Sequence, residues 1–271
     1  MASNLECIGL GVEDQDALAA LVDAIRPSAV TIGEAKGVAV ERWEDPSGAR
    51  LILGIRRTEI VDLLPSFAAT PGARLAQVEF VTDQVATASV VDDTGEQLTA
   101  LAMEVEERRL IGRGPFPGPV LASVTGLGVD VVVHADAEAF EASPRSLVSA
   151  SDQDEGGEPP EHYREQGWKW PPRMAAESFI SYGVFGSPEQ ADPHARFAGT
   201  VTRAEKRTVV QTGQAFVAAR VRTVGFELDL CMPFAGTEVK AGSIIEGTAF
   251  LVGSVAEPAV PPRRRWLRGR R

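Results

Sequence analysis

Arg220-Val221-Arg222-Thr223-Val224-Gly225-Phe226-Glu227-Leu228-Asp229-Leu230-Cys231 alternates apolar and polar residues with a period of two, and the parity of the apolar positions changes at Gly225. A period of two belongs to a strand, whose side chains point alternately to opposite faces. Val221 shares a surface with Phe226, Leu228 and Leu230 if the chain bends or bulges at Gly225. One face of this sheet is then buried and the other is wet. The same patterning marks strands at 179–185, 196–201, 215–224, 226–232 and 244–252, with Gln211, Thr212, Gly213 and Gln214 as a turn. Residues 195–255 therefore read as a small curved barrel, mainly antiparallel, within an expected domain spanning 177–256.

Upstream, the composition changes. Asp152, Asp154, Glu155, Gly156, Gly157, Glu158, Pro159 and Pro160 place like charges beside Gly and Pro, which cannot nucleate regular structure, so 149–176 reads as a linker. Its second half holds Trp168-Lys169-Trp170-Pro171-Pro172. Two indoles are costly to leave in water, so Trp168 and Trp170 either pack against a domain or form a partner-binding surface. Before the linker, 5–12 is strand-like, and Asp14 opens a helix with Leu18, Leu21, Val22 and Ile25 at helical spacing until Pro27. Strands follow at 37–42 and 50–55, joined by a tight turn, then at 75–81 and 85–91. A helix is expected over 97–111, with strands at 120–124 and 129–134. The expected class is α+β, with a βαβββ-like mixed-sheet domain over 1–148 and a basic tail over 257–271.

Charge divides the chain as well. Six of its 27 basic residues fall in the last eleven positions, which hold no acid; the first 260 residues keep 21 bases against 38 acids, a balance of −17. An acidic body repels phosphate backbones and lacks the basic face of a nucleic-acid reader. In the tail, Arg263, Arg264, Arg265 and Trp266 are candidates for contact with an anionic surface or an acidic partner, beside the plainer reading of a solvated terminus. No apolar run approaches the roughly 20 residues of a membrane-spanning helix, and 1–6 lacks the pattern of a signal peptide, so the expected address is cytoplasmic. Cys7 and Cys231 lie in apolar surroundings with no His or Cys at ligand spacing; they are expected to be buried free thiols, with no metal and no cofactor.

The order strand, helix, strand, hairpin, strand, with Asp45-Pro46-Ser47-Gly48-Ala49-Arg50-Leu51 before the last strand, resembles a module of the vicinal oxygen chelate superfamily over residues 5–56 and again over 74–140. The resemblance implies a cupped sheet. Metal-dependent members hold a divalent ion with His and Glu on the first and last strands. Here the first offers Glu6 and Cys7 without His, and the last offers Leu51, Ile52 and Leu53, so the resemblance implies a metal-free cup. The C-terminal strands resemble an OB-like barrel. Their aromatics, Phe197, Phe216, Phe226, Phe234 and Phe250, sit mostly in apolar settings that suit a core better than a stacking platform.

No catalytic constellation is assembled locally. His134, beside Asp136 and Glu138, is a candidate general base, and His162, between Glu161 and Glu165 near the two Trp, is a candidate pocket residue; each is as well explained as a surface His near acids. Gly112 and Gly114 lack the strand-to-helix context of a phosphate loop, and no Ser stands in a nucleophile elbow. The expectation is a non-catalytic protein-interaction or scaffold protein with a protein partner, and a homodimer through an exposed strand edge is one form of it. The alternative is a small-molecule or enzymatic cup in the N-terminal part, which a pocket between the N-terminal sheets with two converging ionisable side chains would favour.

Overall fold

The computed structural model describes residues 2–111, 118–148, 158–236 and 238–255. Strand outweighs helix, 50% against 16%, and the class is α+β. Residues 5–12, expected as a strand, instead wind into a 3-10 turn over Glu6–Ile8. The cause is a capping box: the Ser3 amide donates to Glu6 Oε2 (2.5 Å) and the Glu6 amide donates to Ser3 Oγ (3.2 Å). The Ser-x-x-Glu spacing outweighs the apolar residues that follow it. Helix α1 (Gln15–Ile25) starts where Asp14 accepts from the Ala17 amide (2.8 Å), and it buries Leu21, Val22 and Ile25.

Four strands then form an antiparallel meander: β1 (Val30–Ala35), β2 (Val38–Glu44), β3 (Ala49–Arg56) and β4 (Glu59–Phe67). The β2–β3 turn matches its sequence signature. The Gly48 amide donates to the Asp45 carbonyl (2.7 Å), and the Ser47 amide donates to Asp45 Oδ1 (2.8 Å). With no leading strand and no parallel pair, this sheet departs from the expected βαβββ order and from a mixed sheet.

A second, nine-stranded mixed sheet takes β5 (Pro71–Phe80), β6 (Val85–Val91), β7 (Gln97–Val105), β8 (Val120–His134), β9 (Ser178–Ser181), β10 (His194–Thr208), β11 (Ala215–Arg222), β12 (Glu227–Pro233) and β13 (Ile244–Val255). The helix expected over 97–111 is replaced by β7 and a turn. Gln, Leu, Ala, Met and Glu favour a helix in isolation, but β7 pairs with β6 along its length and turns Leu101, Met103 and Val105 into the core, so tertiary pairing overrides propensity. The two strands expected at 120–124 and 129–134 are one strand, β8, which pairs with β13 from Ala122 to His134.

The parity change at Gly225 marks a hairpin turn. The Thr223 amide donates to the Phe226 carbonyl (3.0 Å), Gly225 takes φ +89°, and Arg220 lies opposite Asp229. Val221, Phe226, Leu228 and Leu230 do share one buried surface, in a core that also holds Leu75, Val90, Leu101, Met103, Phe197 and Leu251. The ladder β10–β11–β12 continues into β8, and β8 returns through β13 to β10. The expected self-contained C-terminal barrel is therefore not formed, because its closing strand comes from before the 149–176 stretch. A second core lies between the meander, α1 and the large sheet, where Ile8, Leu10, Ile25, Leu51 and Leu53 meet Leu127, Phe216 and Cys231.

Candidate partner-binding groove

After β8, Asp136 caps helix α2 (Ala137–Ala142) by accepting from the Ala139 amide (2.8 Å). The chain returns to this helix through α3 (Glu161–Gln166) and the Trp-containing segment. Phe140 anchors the site from below: it is 1% exposed and packs with Ala198, Ile244, Met174 and Ala176. Helix α3 stops at Gly167, whose left-handed φ of 65° reverses the chain so that the Trp168 amide donates to the Tyr163 carbonyl (3.0 Å). That reversal returns both indoles to the tyrosine. Tyr163 meets Trp168 at 5.5 Å between ring centroids and Trp170 at 5.0 Å, both edge to face.

Polar contacts hold the walls. Lys169 Nζ donates to Glu141 Oε1 (2.7 Å), and this bond holds the Glu141 carboxyl below its ordinary range. Arg173 Nη1 donates to the Ser143 carbonyl (2.9 Å), and the Val148 amide donates to the Pro172 carbonyl (3.0 Å). Arg196 of β10 donates to the carbonyls of Val148 (2.9 Å) and Leu147 (2.8 Å). Between α2 and the Trp segment lies an open groove of about 880 Å3, lined by Phe140, Tyr163, Trp168, Trp170, Pro171 and Met174 among others. Trp168 remains 59% exposed.

Of the residues singled out from sequence, Trp168 and Trp170 come together here, joined by Tyr163, Phe140 and Glu141, which sequence reasoning missed. His162 on α3 is exposed, with its ring 4.8 Å from that of Tyr163; no hydrogen bond or ion pair joins it to Glu161 or Glu165. His134 touches the groove only through Phe140. Its Nε2 is buried 3.7 Å from Glu246 Oε1, and its ring packs edge-on against Phe140 at 5.4 Å. Glu246 is held by Arg145, while Asp136, the expected partner of His134, is used as a helix cap. Arg263, Arg264, Arg265 and Trp266, and the Gly112 and Gly114 loop, lie outside the described residues. Among the described residues, no group of three or more His, Cys, Asp or Glu is placed to hold a metal ion, and no helix is long and apolar enough to cross a membrane.

The groove offers aromatic faces, proline rings and one neutralised ion pair. That chemistry suits stacking and apolar contact with a ligand better than proton transfer. Compared with family models, with curated proteins and with solved structures, the chain matches none.

Proposed function

We propose that the protein is a non-catalytic interaction module whose groove at Tyr163, Trp168 and Trp170 receives a proline-containing, arginine-flanked segment of a protein partner. The open aromatic groove carries this reading. Covering the exposed part of one indole is worth ~3 kcal/mol at about 25 cal/mol per Å2. Aromatic-lined grooves take extended proline segments because such segments lose little conformational entropy on binding.

The chain itself contains a segment of this kind: Pro258 and Pro261 are three residues apart and are followed by Pro262 and Arg263. Val255 lies opposite Ala122, while Ile244, which packs with Phe140 at the groove, lies opposite His134, eleven residues away along β13. A second copy of the chain is the partner this reading favours. Acidic Glu158, Glu161 and Glu165 on and before α3 complement the arginines.

The test is fluorescence anisotropy with a labelled synthetic peptide of residues 256–266. Binding in the micromolar range that falls at least tenfold with Trp168→Ala, and with alanines at Pro258 and Pro261 of the peptide, supports the reading. Binding untouched by those changes, or none at millimolar peptide, refutes it.

A further inference from the structure

The cleft between the meander and the large sheet holds two cations, Lys36 and Arg56, that no described residue pairs. Three turns meet there. Lys36 stands at the β1–β2 tip and Arg56 at the β3–β4 tip; after β7 the chain doubles back through Arg108, Arg109, Leu110 and Ile111. With Val38, Phe80 and the 82–84 turn they enclose about 800 Å3. Its charged lining is Lys36, Arg56, Arg108 and Arg109 against Asp83, with Asp62 and Glu104 behind the two inner arginines, in a chain of net charge −11.

Arg108 is committed to the fold: it is 4% exposed and donates to Glu104 Oε2 and Asp62 Oδ1, both at 2.6 Å. Arg109 is only half committed. Its Nε donates to Asp62 Oδ2 (2.7 Å), and its two terminal amino groups find no acceptor among the described residues. The side chains of Lys36 and Arg56 have no hydrogen-bond or ion-pair partner among the described residues.

The site is also shaped by the backbone. Gly54 leaves the space that the Asp62–Arg109 pair fills, since a Cβ there would come within 2.7 Å of Asp62 Cβ and 3.1 Å of Arg109 Nε. Lys36 takes φ +52° at the two-residue β1–β2 turn, a left-handed conformation that Asn adopts more cheaply. The fork of Arg109 is held in place before any ligand arrives, which spares the entropy of ordering it.

We propose that this cleft binds a small molecule carrying two or more phosphoryl groups, its anionic end on Lys36, Arg56 and the free amino groups of Arg109 and its body against Val38, Phe80, Leu110 and Ile111. Three cationic side chains with open donors exceed what a single carboxylate would satisfy and match a polyanion. The acidic body does not forbid this, because its charges beyond about 8–10 Å are screened at physiological salt.

The test is titration calorimetry of the full chain with sodium pyrophosphate at 50 and 200 mM NaCl. Expected is binding to the wild type that weakens with salt, falls at least tenfold in Lys36→Gln/Arg56→Gln and is unchanged in Lys240→Gln/Arg164→Gln. Both pairs are exposed, and thermal melts confirm that each variant is folded. No heat with the wild type up to 10 mM overturns the proposal. So does undiminished binding to Lys36→Gln/Arg56→Gln, which would place the anion on other cations such as those of the tail, or an equal loss in the control pair.

Discussion

Replacing Arg220 with Met tests what fastens the meander to the large sheet. From β11, its Nε donates to Glu227 Oε2 (3.0 Å), and its Nη1 donates to Asp229 Oδ2 (3.0 Å) and to the Thr70 carbonyl (2.8 Å). The Thr70 amide donates to the same Asp229 oxygen (2.7 Å). Thr70 belongs to the connector between β4 and β5, so one guanidinium and one carboxylate clamp the link between the sheets. Arg220 and Asp229 side chains are 10% and 6% exposed. Removing the cation alone leaves Asp229 buried with a single donor, and breaking such a pair costs about 3–5 kcal/mol. At about 2–4 °C per kcal/mol for a chain of this size, the midpoint should fall by roughly 6–20 °C. Leu at Asp229 in the same chain removes the stranded charge, leaving mainly the unpaired Thr70 amide, at about 1–3 kcal/mol. The double variant should therefore lose clearly less than the two single variants together. Urea and thermal unfolding followed by circular dichroism give the cycle. Gly72→Ala should cost at least as much with Arg220 present, since a Cβ there would occupy the place of the guanidinium and come within 2.7 Å of the Glu227 carbonyl. A cost below about 1 kcal/mol for Arg220→Met, or additivity across the cycle, refutes the clamp.

Two further outcomes follow from burial. Cys7 donates to the Gly128 carbonyl (3.4 Å), and burial pushes its thiol up to about 12; burial also raises the thiol of Cys231 well above its ordinary value. Only about one Cys7 in ten thousand is then thiolate at pH 8, so a disulfide reagent should leave the native chain unlabelled and count both thiols in 6 M guanidinium; prompt native labelling of either contradicts the packing. Glu104, Glu106 and Glu107 are all held above the ordinary carboxylate range, by burial first, against the opposing pull of Arg108, Arg50 and a Ser254 hydrogen bond respectively. The folded chain thus holds these protons more tightly than the unfolded one. Their contribution is fully present below the ordinary value near pH 4 and is lost as pH rises through the raised values. The midpoint of Glu106→Gln should accordingly gain on that of the wild type between pH 4.5 and pH 7.5; a gap that stays constant or narrows is inconsistent with a raised Glu106.

Local signals in the sequence were legible where a few neighbouring residues decide the structure. Asp14 with Pro27 bounds α1, Asp45 to Gly48 makes the turn, and the alternation around Gly225 marks a buried surface. Failures came where a distant segment decides. Residues 97–105 form a strand because β6 and β13 lie beside them, and the expected 5–12 strand gives way to a Ser3–Glu6 box that its apolar pattern does not reveal. The pairing of β8 with β13 joins segments more than a hundred residues apart, across an acidic stretch that composition reads as a boundary. The groove follows the same division: Trp168 and Trp170 stand out by residue type, whereas Glu141 and Phe140 enter from a helix about thirty residues upstream.

The same division explains why net charge is a poor guide to whether this chain binds a small anion. A sum over the sequence weighs Lys36, Arg56 and Arg109 against 38 acids wherever those acids lie. Interaction energy instead falls with distance and is screened beyond about a Debye length, so a bound anion feels chiefly the charges lining its cleft. A long nucleic-acid track needs a continuous positive face. A small polyanion needs only the few ångströms where three turns converge. The balance of −17 over the first 260 residues and a cationic cleft are therefore compatible, and the two predict different salt responses. Pyrophosphate affinity should fall by a modest factor between 50 and 200 mM NaCl, while association of duplex DNA through the arginines of 263–271 should fall far more steeply over the same range and be unchanged by Lys36→Gln/Arg56→Gln.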